Sequence, residues 1–585
     1  MMEKIVKVKE REFILSSDGD YKSVEITALE DFGGAKQYLI KVCGKDKKPL
    51  TLKWKKHMVG VLSFWSPTCD RNRFVKQWFR PRKNESNFYY GAPVISVIDD
   101  GGINFTTVAL SDAVNSTEQT FCVNDFEEKE NLDFSVTLFF SQKDEDYQTV
   151  LYIDESKTPF YSAIPTVRRW WGGFYPLDKA RTVNGEYPLY SSWYNFHQNP
   201  VGERLLEELS LAAKVGFKSV IIDDGWSYDG LGTSDYFDCG DWKFSKEKFP
   251  DFKAFTDKVH SFGMKVAVWF PVPFVGYNNP DFIKYKDRML YLDDNFRTGI
   301  LDPRYKSVRD YIVDGYVRIV NQTGIDGLKL DFIDSFRCEN PSLLIKEENK
   351  AKGRDFDNVE DAVVELLNQI ELAVNKDKDD FMIEFRQFYV GPAITRYSNM
   401  LRVADCAFDT VTNRVGVIDL RLLNYDLAVH ADMLYWAKDE IKENSAKMLL
   451  NIAFGVPQIS VLLKESSSEQ IKLLKNYIGY WYENKDIILH GEFIAKKPEL
   501  LYTYASAENS DKRIAVCYAE SVYEFEGKSA DVFNATENKW LYIDSKKGGN
   551  ATVYDCLGEK VAEMRLNQTK VVKVRVPVGG RVDIR

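Results

Sequence analysis

Two stretches, Ser219-Val220-Ile221-Ile222-Asp223-Asp224-Gly225-Trp226 and Gly327-Leu328-Lys329-Leu330-Asp331-Phe332, decide how the fold is read. Each begins as an apolar run too short for a helix and then reaches an acidic residue. Between them lie longer segments whose apolar residues recur at helical spacing, so strand, helix and strand follow one another. The rhythm continues outward. Strands are expected at Ser192–Phe196, Ser219–Asp223, Val266–Phe270, Gly327–Phe332, Phe381–Phe385, Leu401–Ala404, Ala428–Tyr435 and Gln458–Leu462. Helices are expected at Gly202–Lys214, Phe252–Phe262, Ser307–Gln322, Val359–Val374 and Asn444–Phe454. Eight strands alternating with helices over roughly 300 residues is the count and size of a (β/α)8 TIM barrel. A doubly wound open sheet is the competing arrangement, and no Gly-x-Gly-x-x-Gly turn follows a strand to favour it.

On both sides of this region the pattern changes to short β-rich runs separated by Gly, Asp and Asn turns. Val94–Ile98 and Phe134–Phe140 typify the amino-terminal part; Leu501–Tyr504, Ile514–Tyr518 and Val571–Val576 typify the carboxyl-terminal part. The expected organisation of the 585 residues is an N-terminal β-sandwich (1–180), a catalytic barrel (181–488) and a smaller C-terminal β-sandwich (489–585). At the first junction Trp170-Trp171-Gly172-Gly173 reads equally as a plug between domains or as an edge facing substrate.

Composition narrows the class. The formal charge of −10 argues against a protein that coats nucleic acid or a membrane surface, both of which call for a basic excess. No apolar stretch approaches the ~20 residues that span a bilayer. The eight cysteines are widely spaced without a Cys-x-x-Cys and the five histidines are scattered, so neither a disulfide framework nor a metal site is expected. The amino terminus, MMEKIVKVKEREFIL, has charges throughout and no apolar run of signal-peptide length, and cytoplasmic residence is the expectation. Aromatic residues make up 14% of the chain, enough to serve ligand stacking as well as packing.

In a (β/α)8 barrel the chemistry sits at the carboxyl ends of the strands. Several expected strands end in acids: Asp223-Asp224 on the second, Asp331 on the fourth, Glu384 on the fifth, Asp405 on the sixth and Asp432 on the seventh. Strand alternation puts Lys329 and Asp331 on one face. A buried Lys two residues before an Asp holds that carboxylate ionised, which suits a carboxylate nucleophile and a structural ion pair alike. Paired carboxylates without metal ligands suit glycoside hydrolysis, in which one attacks the anomeric carbon and the other protonates the leaving oxygen. Trp193, Trp226 and Trp269 stand beside the acids, where their rings would either meet the apolar face of a sugar or pack the core.

Ser192-Trp193-Tyr194, Ile221–Trp226, Gly240-Asp241-Trp242 with Phe249-Pro250, Gly263–Phe270 and Leu328–Asp331, in that order and spacing, resemble glycoside hydrolase family 36, the α-galactosidases of the melibiase superfamily, related to family 27. The resemblance implies Asp331 as nucleophile and Asp405 as acid/base, with no cofactor. It implies sugar contacts from Asp223, Asp224, Trp193, Trp226, Trp269, Lys329, Glu384, Arg402 and Asp432, an α-galactoside oligosaccharide as substrate, and a homo-oligomer. Glu384 has a second reading as the salt-bridge partner of Arg386, and Asp432 as support for a neighbouring loop or Arg. The family's Arg stands four residues before its acid, whereas Arg402 stands three before Asp405. Either Asp405 keeps the role, or Asp409 takes it, or acid catalysis is lost. For the reaction to run near neutral pH, a raised pKa is expected at Asp405 and a depressed one at Asp331. The alternatives are a raffinose-synthase-like galactosyl transferase, an α-N-acetylgalactosaminidase or related α-glycosidase, and a catalytically silent carbohydrate-binding protein.

Overall fold

A computed structural model describes residues 2–44, 48–77, 80–124, 130–140, 146–176, 183–230, 232, 235–374, 380–568 and 571–585. The amino-terminal part is a sandwich of two six-stranded sheets. Its alternating runs do what period 2 dictates: in Asn131–Leu138, Leu132, Phe134, Val136 and Leu138 point inward, and they meet Ile40, Val42, Ile95 and Val97 of the facing sheet. The expected boundary at 180/181 lies outside the described residues. Helix Phe160–Trp171 leads out of the sandwich, and Trp171, fully buried, donates its indole N–H to Leu110 O at 2.8 Å. Trp170 packs on Tyr152 and donates to Gln37 Oε1 at 2.7 Å, so the double Trp is a plug and not an edge facing substrate.

The middle part is an eight-stranded parallel sheet. Its strands are β1 (Leu189–Ser191), β2 (Ser219–Ile222), β3 (Lys265–Pro271), β4 (Gly327–Asp331), β5 (Met382–Arg386), β6 (Met400–Arg402), β7 (Ala428–His430) and β8 (Gln458–Ile459). Consecutive strands pair from β1 to β7, and β8 returns to pair with β1. Parallel bridges His430↔Val456 and Leu434↔Ile459 bring β7 beside β8, so the sheet nearly closes on itself as a (β/α)8 barrel. The first strand lies earlier than expected. Ser192 has helical dihedrals, and Trp193–Phe196 form one helical turn above the barrel end in place of the expected strand. β7 and β8 are shorter than their apolar runs, because the chain beyond them keeps only isolated bridges.

Two features are absent from the sequence reading. After β3 the chain forms a small antiparallel sheet from Phe274–Gly276, Met289–Asp293 and Thr298–Leu301. After β8 runs the helix Ser468–His490, begun by a capping box in which Ser467 and Gln470 exchange hydrogen bonds with each other's backbone. The carboxyl-terminal part has a seven-stranded and a three-stranded sheet around Val532, Ile543, Val553 and Val582. Its expected strand at Leu501–Tyr504 starts only at Tyr504, because Leu501 and Tyr502 take left-handed φ values of 57° and 62°.

One buried node joins all three parts. Asp419, on the helix Thr410–Leu423 that follows β6, accepts from Trp65 Nε1 at 2.8 Å and Arg73 Nη1 at 3.1 Å, both from the sandwich. Tyr502, at the start of the third part, donates to Asp419 and accepts from Arg73 Nη1 at 3.0 Å. Arg73 has no exposed surface, so removing its partner leaves a cation stranded in the protein interior. Asp419→Ala is expected to destabilise the chain by about 3–5 kcal/mol. Asp409→Ala, which removes a helix cap, should cost about 1 kcal/mol. Urea unfolding of the two variants checks the difference, and equal midpoints would remove the node's assigned role.

Candidate active site

The end of β4 is the centre of the site. Leu328 and Leu330 face the helices while Lys329 and Asp331 face the interior, as alternation requires, and both polar residues are buried. After Asp331 the chain turns through Phe332, whose φ is 59°; a non-glycine residue in this region carries strain of order 1–3 kcal/mol. The turn aims the Phe332 N–H at Asp331 Oδ1, 2.8 Å away. Trp269 Nε1 donates to the other oxygen at 3.0 Å, and Arg386 Nε pairs with Oδ1. Burial alone would favour the protonated acid. Arg386, Lys329 and Arg402 together outweigh it and hold Asp331 well below the usual carboxylate range, as expected from the sequence.

Lys329 divides its charge differently from the expectation. Its ammonium donates to Asp223 Oδ2 at 2.7 Å and stands 3.8 Å from Asp331 Oδ2, so the close cation of Asp331 is Arg386. Asp223 is fixed by its own backbone, whose N–H donates to Ser192 Oγ at 2.9 Å. Gly225 has φ of 97°, and a Cβ there would lie 2.3 Å from Gln198 O; only glycine permits that approach. The approach lets the Gln198 amide reach Asp224. Burial, assisted by the charge of Asp223, pushes Asp224 up to about 7 against that hydrogen bond.

Strands β5 and β6 build the other half. Arg402, fully buried, donates from one nitrogen, Nη1, to Asp405 at 2.7 Å and to Asp432 at 2.6 Å. Asp432 is completely enclosed and also accepts from Tyr194 OH and Cys406 N, each at 2.8 Å. Asp405 is the member of this trio that remains open, its side chain 59% exposed. The expectation of a raised pKa at Asp405 is overturned. Crowding by protein pushes it up, but the charge of Arg402 and then of Lys329 pulls it below the ordinary value, while the more deeply enclosed Asp432 is raised.

Other expectations are corrected by position. Trp226 is buried with its ring among Trp242, Phe244 and Phe270 and its N–H on Trp269 O at 2.9 Å, so it packs the core and offers no face to a sugar. Glu384 pairs in register with Lys329, one layer below Asp331, and is closed off from the mouth. Its partners are Gln458 Nε2 at 2.7 Å and Arg402 Nε at 3.5 Å, not Arg386. Asp432 supports Arg402 and does not face a ligand. Asp409 caps the helix Thr410–Leu423 through Thr412 N–H at 3.0 Å and pairs with Arg71, whereas Asp405 is the one of the two that is held by Arg402. Trp193, half-buried, stands edge-on to His197 in the turn after β1.

Arg386 and Gln198 were not anticipated as site residues. For Arg386 the signal was present, since alternation on β5 puts it on the same face as Glu384. Gln198 makes its contact through the tight approach at Gly225, which no local pattern announces. Tyr236, stacked on Trp269 at 5.8 Å, is likewise fixed only by the tertiary fold.

This geometry can be set beside known proteins. The Melibiase family model matches residues 182–359, the stretch that carries β1 to β4 with Asp223, Asp224, Lys329 and Asp331. The match takes in the first half of the barrel. An α-galactosidase of Lactobacillus acidophilus is 28% identical over 147 residues, 24% of this chain and 19% of that protein. A galactosaminidase of Flavonifractor plautii acting on A-type blood galactosamine is 30% identical over 159 residues, 23% of this chain and 13% of that protein. The matched stretch thus spans a fifth or less of the length of these curated relatives. In overall fold the barrel and its flanking domains resemble a family 36 α-galactosidase of Geobacillus stearothermophilus solved with raffinose, with a TM-score of 0.63 at 14% identity over 98% of this chain and 81% of that one. The α-galactosidase of Thermus thermophilus, solved with p-nitrophenyl α-D-galactopyranoside, gives 0.56 over 89% and 99% of the two chains, at 14% identity.

Burial pushes Glu384 up to about 7 against the pull of Arg402 and Lys329, and the sign of its effect on stability follows. A carboxyl whose folded pKa lies above its unfolded one binds its proton more tightly when folded, so stability falls as pH rises from about 4.3, the unfolded value, to about 7. Glu384→Gln does not titrate. Its stability relative to the parent should therefore improve by roughly 3 kcal/mol between pH 4 and pH 8. Unfolding midpoints across that range check this, and a constant difference would refute it.

Proposed function

We propose that the protein is a retaining, exo-acting α-galactosidase that hydrolyses terminal α-linked galactose from oligosaccharides through a covalent glycosyl-enzyme intermediate. The observation that carries the proposal is Asp331: a buried carboxylate at the end of β4, held ionised by Arg386 and oriented by the Trp269 and Phe332 N–H groups, inside a barrel whose first half matches the Melibiase family model. It attacks the anomeric carbon as Asp405, protonated for this step, gives its proton to the glycosidic oxygen, and the bond from carbon to the leaving oxygen breaks. Asp405 then takes a proton from water as the water's oxygen displaces Asp331. Two inversions leave the configuration unchanged.

The electrostatics support this exchange of roles. The charge of Asp331 raises the pKa of Asp405, and a sugar filling the mouth would remove the water that now reaches Asp405 and raise it further. Once Asp331 is esterified its charge is gone, so the pKa of Asp405 falls as it becomes the base. Arg402, through Nη1, holds Asp405 at 2.7 Å and fixes its place beside the mouth. Asp223 and Asp224 are the candidates for the sugar hydroxyls opposite Asp331.

Asp331→Asn should reduce hydrolysis of p-nitrophenyl α-D-galactopyranoside to background, and parental turnover in that variant would end the assignment. Proton NMR of the first-formed galactose should show the α anomer; a β product would exclude retention. Asp405→Asn should lower turnover of a galactosyl oligosaccharide by about 10²–10⁴, with a smaller loss on the aryl substrate, whose phenolate leaves without a proton. The Flavonifractor relative favours a second reading, an α-galactosaminidase, and parallel assays with the p-nitrophenyl α-glycosides of galactose and galactosamine decide between them.

A further inference from the structure

The two oxygens of a carboxylate offer about four lone-pair sites, two on each. On Asp331 Oδ1 both are taken: the Phe332 N–H donates from 2.8 Å, and Arg386 Nε donates from the other side. On Oδ2 one is taken, by Trp269 Nε1 at 3.0 Å, while Lys329 Nζ stands 3.8 Å away, beyond hydrogen-bond reach. Among the described residues no further donor meets Oδ2. An anomeric carbon arriving at Asp331 therefore finds the free electron pair on Oδ2, whereas bonding to Oδ1 would first dislodge a charged donor or the backbone.

Arg386 is built to stay where it is. Nη1 and Nη2 each reach Asp334 at 3.2 Å, and Nη1 also donates to Gln387 O at 2.6 Å. The guanidinium lies 5.3 Å from the Phe332 ring centroid and 5.5 Å from that of Tyr389, whose OH is itself tied to Leu330 O at 2.7 Å. Its side chain is 15% exposed. It is thus a preorganised donor that keeps its place while the charge of Asp331 changes.

That charge changes in opposite directions in the two halves of the reaction. As Oδ2 bonds to C1 and the bond from C1 to the leaving oxygen breaks, the carboxylate becomes a neutral ester with Oδ1 as its carbonyl oxygen, and the pairing with Arg386 weakens. As water's oxygen bonds to C1 and the C1–Oδ2 bond breaks, the electron pair returns to the carboxylate, the water's proton passes to Asp405, and the pairing is regained. A hydrogen bond to an ionised partner is about twice as strong as a neutral one, so Arg386 favours the free carboxylate over the ester and lowers the barrier to release.

We infer that Arg386 drives the second half-reaction: bound to Oδ1, it leaves Oδ2 to attack and makes Asp331 the better leaving group when the glycosyl-enzyme is hydrolysed. The inference rests on the reading of Asp331 as nucleophile.

The deciding measurement isolates that step. With 5-fluoro-α-D-galactopyranosyl fluoride, Oδ2–C1 forms as C1–F breaks and fluoride leaves, and the ring fluorine slows the release that follows. Peptide mass spectrometry should place the label on Asp331, and recovery of activity after the excess reagent is removed reports hydrolysis of the ester. In Arg386→Gln and Arg386→Met, both neutral, recovery should be about tenfold slower or more, with the rate of labelling within about threefold of the parent. Arg386→Lys, which restores a charge, should regain part of the loss. On p-nitrophenyl α-D-galactopyranoside kcat and KM of the neutral variants should fall together, a split that a merely structural role would not produce. Labelled variants that recover as fast as the parent would overturn the inference and leave the hydrolase reading intact, as would neutral variants that take up no label, since the first half-reaction is the one that does not call for Arg386. A parent that takes no label on Asp331 would overturn the hydrolase reading itself and the role of Arg386 with it.

Discussion

Three cations, the buried Lys329 and Arg402 and the partly buried Arg386, stand on successive strands β4, β5 and β6, and the mouth of the barrel is organised by how their charge is shared out. Isolated charges in such an interior would cost several kcal/mol each, so every one is placed against carboxylates. Lys329 faces Asp223 and, more distantly, Asp331; Arg386 faces Asp331 and Asp334; Arg402 faces Asp405, Asp432 and Glu384. The carboxylates outnumber the cations. Those that receive least compensation, Asp224 and Glu384, are pushed toward neutrality, while Asp331 receives most and stays ionised. One distribution of charge thus separates groups of identical chemistry into different protonation states.

Much of this was legible in the chain. The strand-end acids, the Lys329–Asp331 alternation and the change from β to βα rhythm are local patterns, and local patterns follow from two periodicities that sequence displays directly. What was not legible depends on which partner a long side chain reaches. Lys329 was expected to serve Asp331 and serves Asp223 more closely; Arg386 was expected beside Glu384 and reaches Asp331 and Asp334. Trp226 reads the same as Trp269 in the sequence, since both follow or end strands at the mouth, yet one ring is closed in by Trp242, Phe244 and Phe270 and the other holds the central carboxylate. The irregular spacing of Arg402 and Asp405 is accommodated without difficulty, because the chain leaves β6 at Arg402 and three residues suffice to bring Asp405 back over the guanidinium.

The flanking domains are not mere appendages. The sandwich meets the barrel mouth through Glu85 and Tyr90, which hold Arg337 of the loop after β4, and helix Phe160–Trp171 packs between the sandwich and the helix after β6. Barrels of this kind vary their chemistry through the loops at one end. Here residues of a neighbouring domain stand beside those loops.

The node at Asp419 adds a consequence for inheritance. Its donors come from Trp65, Arg73 and Tyr502, on two different domains, and converge on a single carboxylate of a third. A recombination event that exchanged the sandwich alone, or transplanted the barrel alone, would break a charge pair that no residue at the new junction is placed to mend. Exchange of one part for a foreign one would therefore be expected to leave either Arg73 or Asp419 without its counter-charge, so the three parts are best handled as one unit when the chain is recombined.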